Sequence, residues 1–325
     1  MIKKNNKEFP SELRRDLISG DWVIIAKGRA KKPESFQGNH KRKSEVKKKD
    51  CPFFFFKTQK EPVLIYNKKG RVPLEEGIPD DWKLVVIPNL YPALLPSKTL
   101  NKREEGGLYQ TLDAVGHCEL VIPRDHRKNM PNFNIDEIEL LIESCKQRYL
   151  DLMDKPFVNY ISIFQNFGPK AGASQPHPHL QIITTPLIDV DLISSLRESE
   201  NYYKENDECI YCQMIEYELE NRERIIYENN HFIALCPFAS KTAFQVIITP
   251  KDHLSNFEKI TEEEKRSLAD AAQKVAISLN KGLNDPDYNF YLHTSPCDGE
   301  DHDYYHWHWT VLPKTNDLAG FELGT

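Results

Sequence analysis

Between residues 118 and 181, and again between 245 and 310, apolar positions change period in the same order, from strand-like to helix-like and back. Cys118-Glu-Leu-Val-Ile-Pro-Arg-Asp-His126 and Gln245-Val-Ile-Ile-Thr-Pro-Lys-Asp-His253 are β-rich runs that both end in Pro-basic-Asp-His. A helix is predicted after each. Asn134 with Glu137, and Thr261 with Glu264, have the spacing of a helix-capping pair. One apolar stripe follows as Ile138, Leu141, Ile142, Cys145, Tyr149 and Leu152, the other as Leu268, Ala271, Ala272, Val275, Leu279 and Leu283. A second strand comes next (157–165 and 288–293), then a glycine-containing loop, then a short strand bearing two histidines. His126 lies 51 residues before His177, and His253 lies 53 before His306. Element order this close points to an internal duplication. The fold class is therefore α+β, with two tandem domains at 1–195 and 196–325, each an antiparallel sheet with a packed helix.

The last strand of each unit carries the chemistry. In Gln175-Pro-His-Pro-His-Leu-Gln181, strand alternation puts His177, His179 and Gln181 on one face, with Leu180 and Ile182 on the other. Tyr305-His-Trp-His-Trp-Thr310 repeats this with His306, His308 and Thr310. A single strand histidine is more often a hydrogen-bonded core residue than a reactive one, but two matched pairs reverse that preference. Two imidazoles and a carboxamide on one edge suit phosphorus chemistry, in which one His attacks and neighbouring donors hold non-bridging oxygens. An amide donor at Gln181 can stabilise charge without being a competing base, and Thr310 lacks that reach. The first half should be catalytic and the second a structural copy.

Cysteines add a metal to the picture. Cys209-Ile-Tyr-Cys212 has knuckle spacing, and with His253 and His306 of the same half it makes a two-Cys, two-His set suited to structural zinc. The first half offers Cys51, His126 and His177, but Phe54 stands where the second thiolate would be. Either water or another side chain completes that site, or the metal has been lost. An odd count of seven cysteines fits a reducing compartment better than disulfides.

Composition narrows the partners. The 325 residues are 39% hydrophobic, enough for real cores, and the net charge of −6 argues against nucleic acid. The basic run from Lys27 to Lys49 is the local exception and reads mostly as a solvated loop, with one or two residues aimed at phosphate. No apolar stretch has transmembrane length, and the polar start has no signal-peptide core, so a cytoplasmic protein without a membrane partner is expected.

Leu13-Arg-Arg-Asp-Leu-Ile-Ser-Gly-Asp-Trp-Val-Ile-Ile-Ala-Lys-Gly-Arg-Ala-Lys-Lys-Pro33, Val86-Ile-Pro-Asn-Leu-Tyr-Pro-Ala93, Phe164-Gln-Asn-Phe-Gly168 and Gly172-Ala-Ser-Gln-Pro-His-Pro-His-Leu-Gln181 complete a set of motifs. Together they resemble the galactose-1-phosphate uridylyltransferase family, of the histidine-triad-like nucleotidyltransferases, nearly end to end. The resemblance implies that Arg29 and Lys32 meet phosphate, that Asn89 binds nucleotide, and that Asn166 and Ser174 hold phosphate or ribose oxygens. It also implies that His177 is the zinc-side histidine, His179 the nucleophile and Gln181 the donor to a nucleotidylated intermediate. Leu90 replaces an Asp common in that family. The implied activity is UDP-glucose–hexose-1-phosphate uridylyl transfer by ping-pong kinetics, in galactose metabolism, by a zinc-containing homodimer. The partners are then a nucleotide sugar and a hexose 1-phosphate. An ADP-sugar or dinucleoside polyphosphate phosphorylase, or an inactive zinc-containing nucleotide-binding relative, shares the same strand and stays open.

Overall fold

The computed structural model describes residues 12–25, 51–53 and 60–315, and its centre is one antiparallel sheet of eleven strands. The first half contributes β3 (Leu64–Asn67), β4 (Gly70–Arg71), β5 (Leu84–Pro88), β8 (Cys118–Pro123), β9 (Tyr160–Phe167) and β10 (Leu180–Thr185). The second contributes β11 (Ile225–Glu228), β12 (Phe232–Leu235), β13 (Val246–Pro250), β14 (Tyr288–His293) and β15 (His308–Pro313). Two hairpins stand outside it, β1 (Glu12–Arg15) with β2 (Trp22–Ile25), and β6 (Lys102–Glu105) with β7 (Tyr109–Leu112).

Strand order is β11-β12-β13-β15-β14-β9-β10-β8-β5-β3-β4. Read outward from the β14–β9 junction, the two halves run in matching order, so the duplication folds as a pseudo-twofold. At the junction Tyr291 faces Phe164, and each of these lies opposite the third position of its own histidine strand, Thr310 and Gln181. The pseudo-axis passes between them. The two sheets expected from sequence are thus joined edge to edge, and neither β9 nor β14 is left as an open edge at the junction.

Both predicted helices form. α1 (Ile135–Leu152) and α4 (Glu262–Leu283) open on complete capping boxes, Asn134 with Glu137 and Thr261 with Glu264. They lie on the same face of the sheet, and the Lys265 ammonium on α4 pairs with Glu143 on α1. Arg148 on α1 grips Glu119 on β8 through two hydrogen bonds of 2.7 Å. The shared core below the helices takes Tyr149, Phe257, Trp307 and Trp309, and Phe290 stacks on Trp309 at 4.4 Å. Truncating either tryptophan to Ala would cost about 3–5 kcal/mol, because the cavity left cannot close.

The opposite face carries the histidines. In the second half it is covered by α2 (Val190–Asn206) and α3 (Ile210–Asn221), whose buried residues Leu192, Leu196, Ile210 and Tyr211 cluster with Tyr305. Residue 195, the expected division between domains, falls inside α2. No helix among the described residues is long and apolar enough to cross a membrane.

Candidate active site and metal clusters

His177 and His179 sit just ahead of β10, where Pro176 and Pro178, lacking N–H groups, cannot contribute donors to a ladder. The strand proper begins at Leu180, and alternation then holds: Leu180 and Ile182 are buried towards the helices, Gln181 and Ile183 half-buried on the other face. Gln181 lies in register between Leu120 of β8 and Phe164 of β9. The rings of both histidines pack on Phe53, with centroids 5.6 Å away for His177 and 5.3 Å for His179. Phe53 belongs to the same apolar cluster as Leu120, so the three polar groups do share a face.

Backbone carbonyls fix both imidazoles. Nε2 of His177 donates to the Pro123 carbonyl at 2.8 Å, and Nδ1 then faces Cys51 Sγ at 3.2 Å. Nδ1 of His179 donates to the His177 carbonyl at 2.9 Å. A carbonyl only accepts, so the proton of neutral His179 is on Nδ1 and the lone pair on Nε2. Burial pushes the His179 pKa below the ordinary value, which keeps that lone pair available. His177, more strongly affected by burial, is pushed down to about 4.

The second half repeats this framework. His306 Nε2 donates to the Pro250 carbonyl at 3.1 Å, and His308 Nδ1 to the His306 carbonyl at 3.3 Å. Tyr211 takes the place of Phe53, with its ring 5.8 Å from His306 and 5.5 Å from His308. The sequence signal for this aromatic pair is its position, two residues after the leading cysteine in each half. His308 differs from His179 in its surroundings: the His293 ring stacks on it at 4.8 Å, and burial drives its pKa well down. In the first half the position equivalent to His293 is Asn166.

Two clusters could hold a metal ion among the described residues. Ligand atoms of Cys209, Cys212, His253 and His306 all lie within 4.8 Å of one another, and so do those of Cys51, His126 and His177. The second-half set is arranged as a closed site requires. His253 Nε2 donates to the Asp303 carbonyl at 2.6 Å, so its Nδ1 faces Cys212 Sγ at 3.4 Å, while His306 Nδ1 lies 3.7 Å from the same sulfur. Hydrogen bonding from Cys212 pulls the Cys209 thiol far below its usual range. The donor set fits a soft tetrahedral cation such as zinc.

Of the remaining predicted residues, Asn89 follows β5 directly and is half-buried. Its Oδ1 accepts the Tyr91 N–H at 3.0 Å, which leaves the amide hydrogens as donors. Its N–H bonds the Cys118 carbonyl, two positions along β8 from Leu120, on the strand next to Gln181. Asn166 lies in β9, and Ser174 is exposed in the loop leading to His177. Arg29, Lys32, Phe54 and the basic run lie outside the described residues.

Known proteins match both halves. Residues 1–188 match the profile of the galactose-1-phosphate uridyl transferase N-terminal domain, and residues 195–323 that of its C-terminal domain. An ADP-glucose phosphorylase of Arabidopsis thaliana is 31% identical over 318 residues, spanning 97% of this chain and 87% of the relative. A galactose-1-phosphate uridylyltransferase of Thermotoga maritima is 30% identical over 324 residues, spanning 97% and 92%. The crystal structure of an ADP-glucose phosphorylase from Arabidopsis thaliana with bound ADP-glucose superposes with a TM-score of 0.78 at 28% identity, covering 97% of this chain and 93% of that one. Profiles covering both halves and relatives matched along nearly their whole length place this chain in the galactose-1-phosphate uridyl transferase family.

Proposed function

We propose that this protein is a hexose-1-phosphate uridylyltransferase working through a nucleotidyl-histidine intermediate. The observation that carries the reading is the hydrogen bond from His179 Nδ1 to the His177 carbonyl, which aims an unprotonated Nε2 from a buried, water-poor position. Nε2 attacks the α-phosphorus of UDP-glucose, an N–P bond forms, and the bond to the β-phosphate oxygen breaks to release glucose 1-phosphate. A phosphate oxygen of the acceptor hexose 1-phosphate then attacks the same phosphorus and regenerates the imidazole. Gln181 donates to the phosphoryl oxygens in both steps, and Asn89, Asn166 and Ser174 orient nucleotide and phosphate. Arg29 and Lys32 belong to this proposal on the resemblance alone, as do the homodimer and the cytoplasmic setting.

Cys209, Cys212, His253 and His306 hold structural zinc in this reading, with Cys51, His126 and His177 as a second, three-residue set. Bound there, zinc supplies cross-linking free energy rather than reaction chemistry. The division of labour follows: residues 1–195 catalytic, 196–325 carrying the complete zinc site.

A second reading is favoured by the 31% identity to the Arabidopsis thaliana ADP-glucose phosphorylase. There the base is adenine and inorganic phosphate is the acceptor. Incubation with UDP-glucose or ADP-glucose, radiolabelled at the α-phosphate, followed by chase with galactose 1-phosphate or phosphate, separates the two. Covalent label from UDP-glucose that is released by galactose 1-phosphate supports uridylyl transfer. Label from neither sugar nucleotide leaves an inactive nucleotide-binding relative.

A further inference from the structure

The loop that joins Asn166 to the first-half histidines is built on side chains from the second half. Asn289, on β14, donates from Nδ2 to Oδ1 of Asn166 at 2.8 Å and to the Ala171 carbonyl at 3.0 Å. The Ala171 carbonyl can only accept, so Asn289 must present its NH2 there, and Asn166 must answer with its oxygen. The Asn166 amide donor is thereby turned towards the loop. A Cβ placed on Gly172 would lie 4.0 Å from Asn166 Nδ2.

Asp287 holds the other side of the same loop. Its Oδ2 accepts the Lys170 N–H at 2.8 Å, and its own carbonyl accepts the Lys314 N–H at 2.7 Å, just beyond β15. Gly168 has φ +85°, and a Cβ there would fall 2.0 Å from Asp287 Oδ1. Only glycine allows this approach. The clamp breaks the pseudo-symmetry. Counting two residues either way from Phe164 and Tyr291, the counterpart of Asn289 is Ser162 and that of Asn166 is His293.

We propose that Asn289 and Asp287 are positioning residues for nucleotidyl transfer, holding the Gly168–Ser174 loop so that the Asn166 amide and the loop face the α-phosphate while His179 attacks. The second half then contributes geometry to the reaction as well as stability. This rests on the function proposed above.

The test is rapid-quench labelling with UDP-glucose and ADP-glucose on the zinc-loaded protein, comparing wild type with Asn289→Asp, Asn289→Ala, Asp287→Ala and Asp287→Asn. Asn289→Asp keeps shape but turns carboxylate oxygens on two acceptors, and the labelling rate should fall by about 100-fold, the scale of a small misplacement in a reacting geometry. Asn289→Ala and Asp287→Ala should lose about tenfold, whereas Asp287→Asn, which keeps an acceptor for Lys170, should stay within about threefold. Calorimetric binding of UMP and AMP, zinc content and melting temperature should remain close to wild type. Wild-type labelling rates in Asn289→Asp and Asp287→Ala overturn the inference while the functional reading stands. A rate loss matched by loss of folding in every variant assigns these residues to stability and overturns it too. A wild-type protein that takes no label overturns the functional reading itself, and the inference with it.

Discussion

The two halves hold their histidine pairs by the same means and surround them differently. In each, a proline carbonyl accepts from the first imidazole, the first histidine's own carbonyl accepts from the second, and an aromatic ring packs against both. What differs lies over the second imidazole and beside it. His179 has Gln181 two residues on and Asn166 across on β9, while His308 has Thr310 and the stacked ring of His293. Among the described residues the groups that could hold a metal differ in the opposite sense, with four ligands in the second half and three in the first. Duplication thus supplied one scaffold, and a handful of side chains distinguish its two copies; the proposed function assigns the reaction to one and stabilisation to the other.

The sharpest way to break this comparison is to remove the second imidazole from each half in turn. His179→Asn should abolish covalent labelling and lower turnover by at least about a thousandfold, because it removes the proposed nucleophile. His308→Asn should leave labelling within about tenfold of wild type, any loss coming through packing against His293 and Tyr211. Rapid-quench labelling of both variants decides it. Labelling that survives in His179→Asn, or vanishes only in His308→Asn, would reverse the assignment of the halves.

Metal content is the next contrast. Cys212→Ser removes a ligand from the four-residue cluster and should release one zinc, lowering the melting temperature by roughly 10 °C while the labelling rate changes little. Chelation of the wild-type protein should have the same effect on stability. The first half is expected to hold less metal, so total zinc should lie nearer one per chain than two, and Phe54→Cys should raise it towards two. Metal analysis of these proteins, with Cys51→Ser as the reference, checks both halves at once. Two zinc ions in the unaltered protein, with one lost in Cys51→Ser, would show that a fourth ligand outside this trio completes the first site.

Features encoded locally were legible in the sequence. Both capping boxes form at the predicted residues because the bonds that make them span three positions, and the apolar stripes of α1 and α4 face the core. The convergence of the two Cys/His groups was legible for a different reason, since each histidine was defined twice, once in each copy. The join of the two sheets was not legible. Alternation along β9 and β14 says which side chains are buried, but not which strand lies alongside. The clamp on the active loop was hidden by distance in sequence, since Lys170 and Asp287 are 117 residues apart. The β-rich runs expected to reach His126 and His253 stop at Pro123 and Pro250, which instead offer the carbonyls that orient His177 and His306.

The smallest expected effect tests the part of the comparison that should not differ. If the halves share their scaffold, equivalent changes far from the sites should cost the same in both. Asn134 caps α1 by accepting the Glu137 N–H at 2.9 Å, and Thr261 caps α4 by accepting the Glu264 N–H at 3.3 Å. Each loss leaves a backbone donor in the first helical turn without its side-chain acceptor, so Asn134→Ala and Thr261→Ala should each cost about 1 kcal/mol, with a melting-temperature drop of roughly 2–4 °C. Thr261 also donates its hydroxyl to Glu264 at 2.7 Å, which partly offsets its longer cap bond. Because α1 and α4 pack on each other across the pseudo-axis, the double variant should unfold in a single transition. Thermal unfolding followed by circular dichroism measures all three. Two separated transitions in the double variant would mean that the halves fold independently, and the shared core of Tyr149, Phe257 and the two tryptophans would then contribute far less than its burial implies.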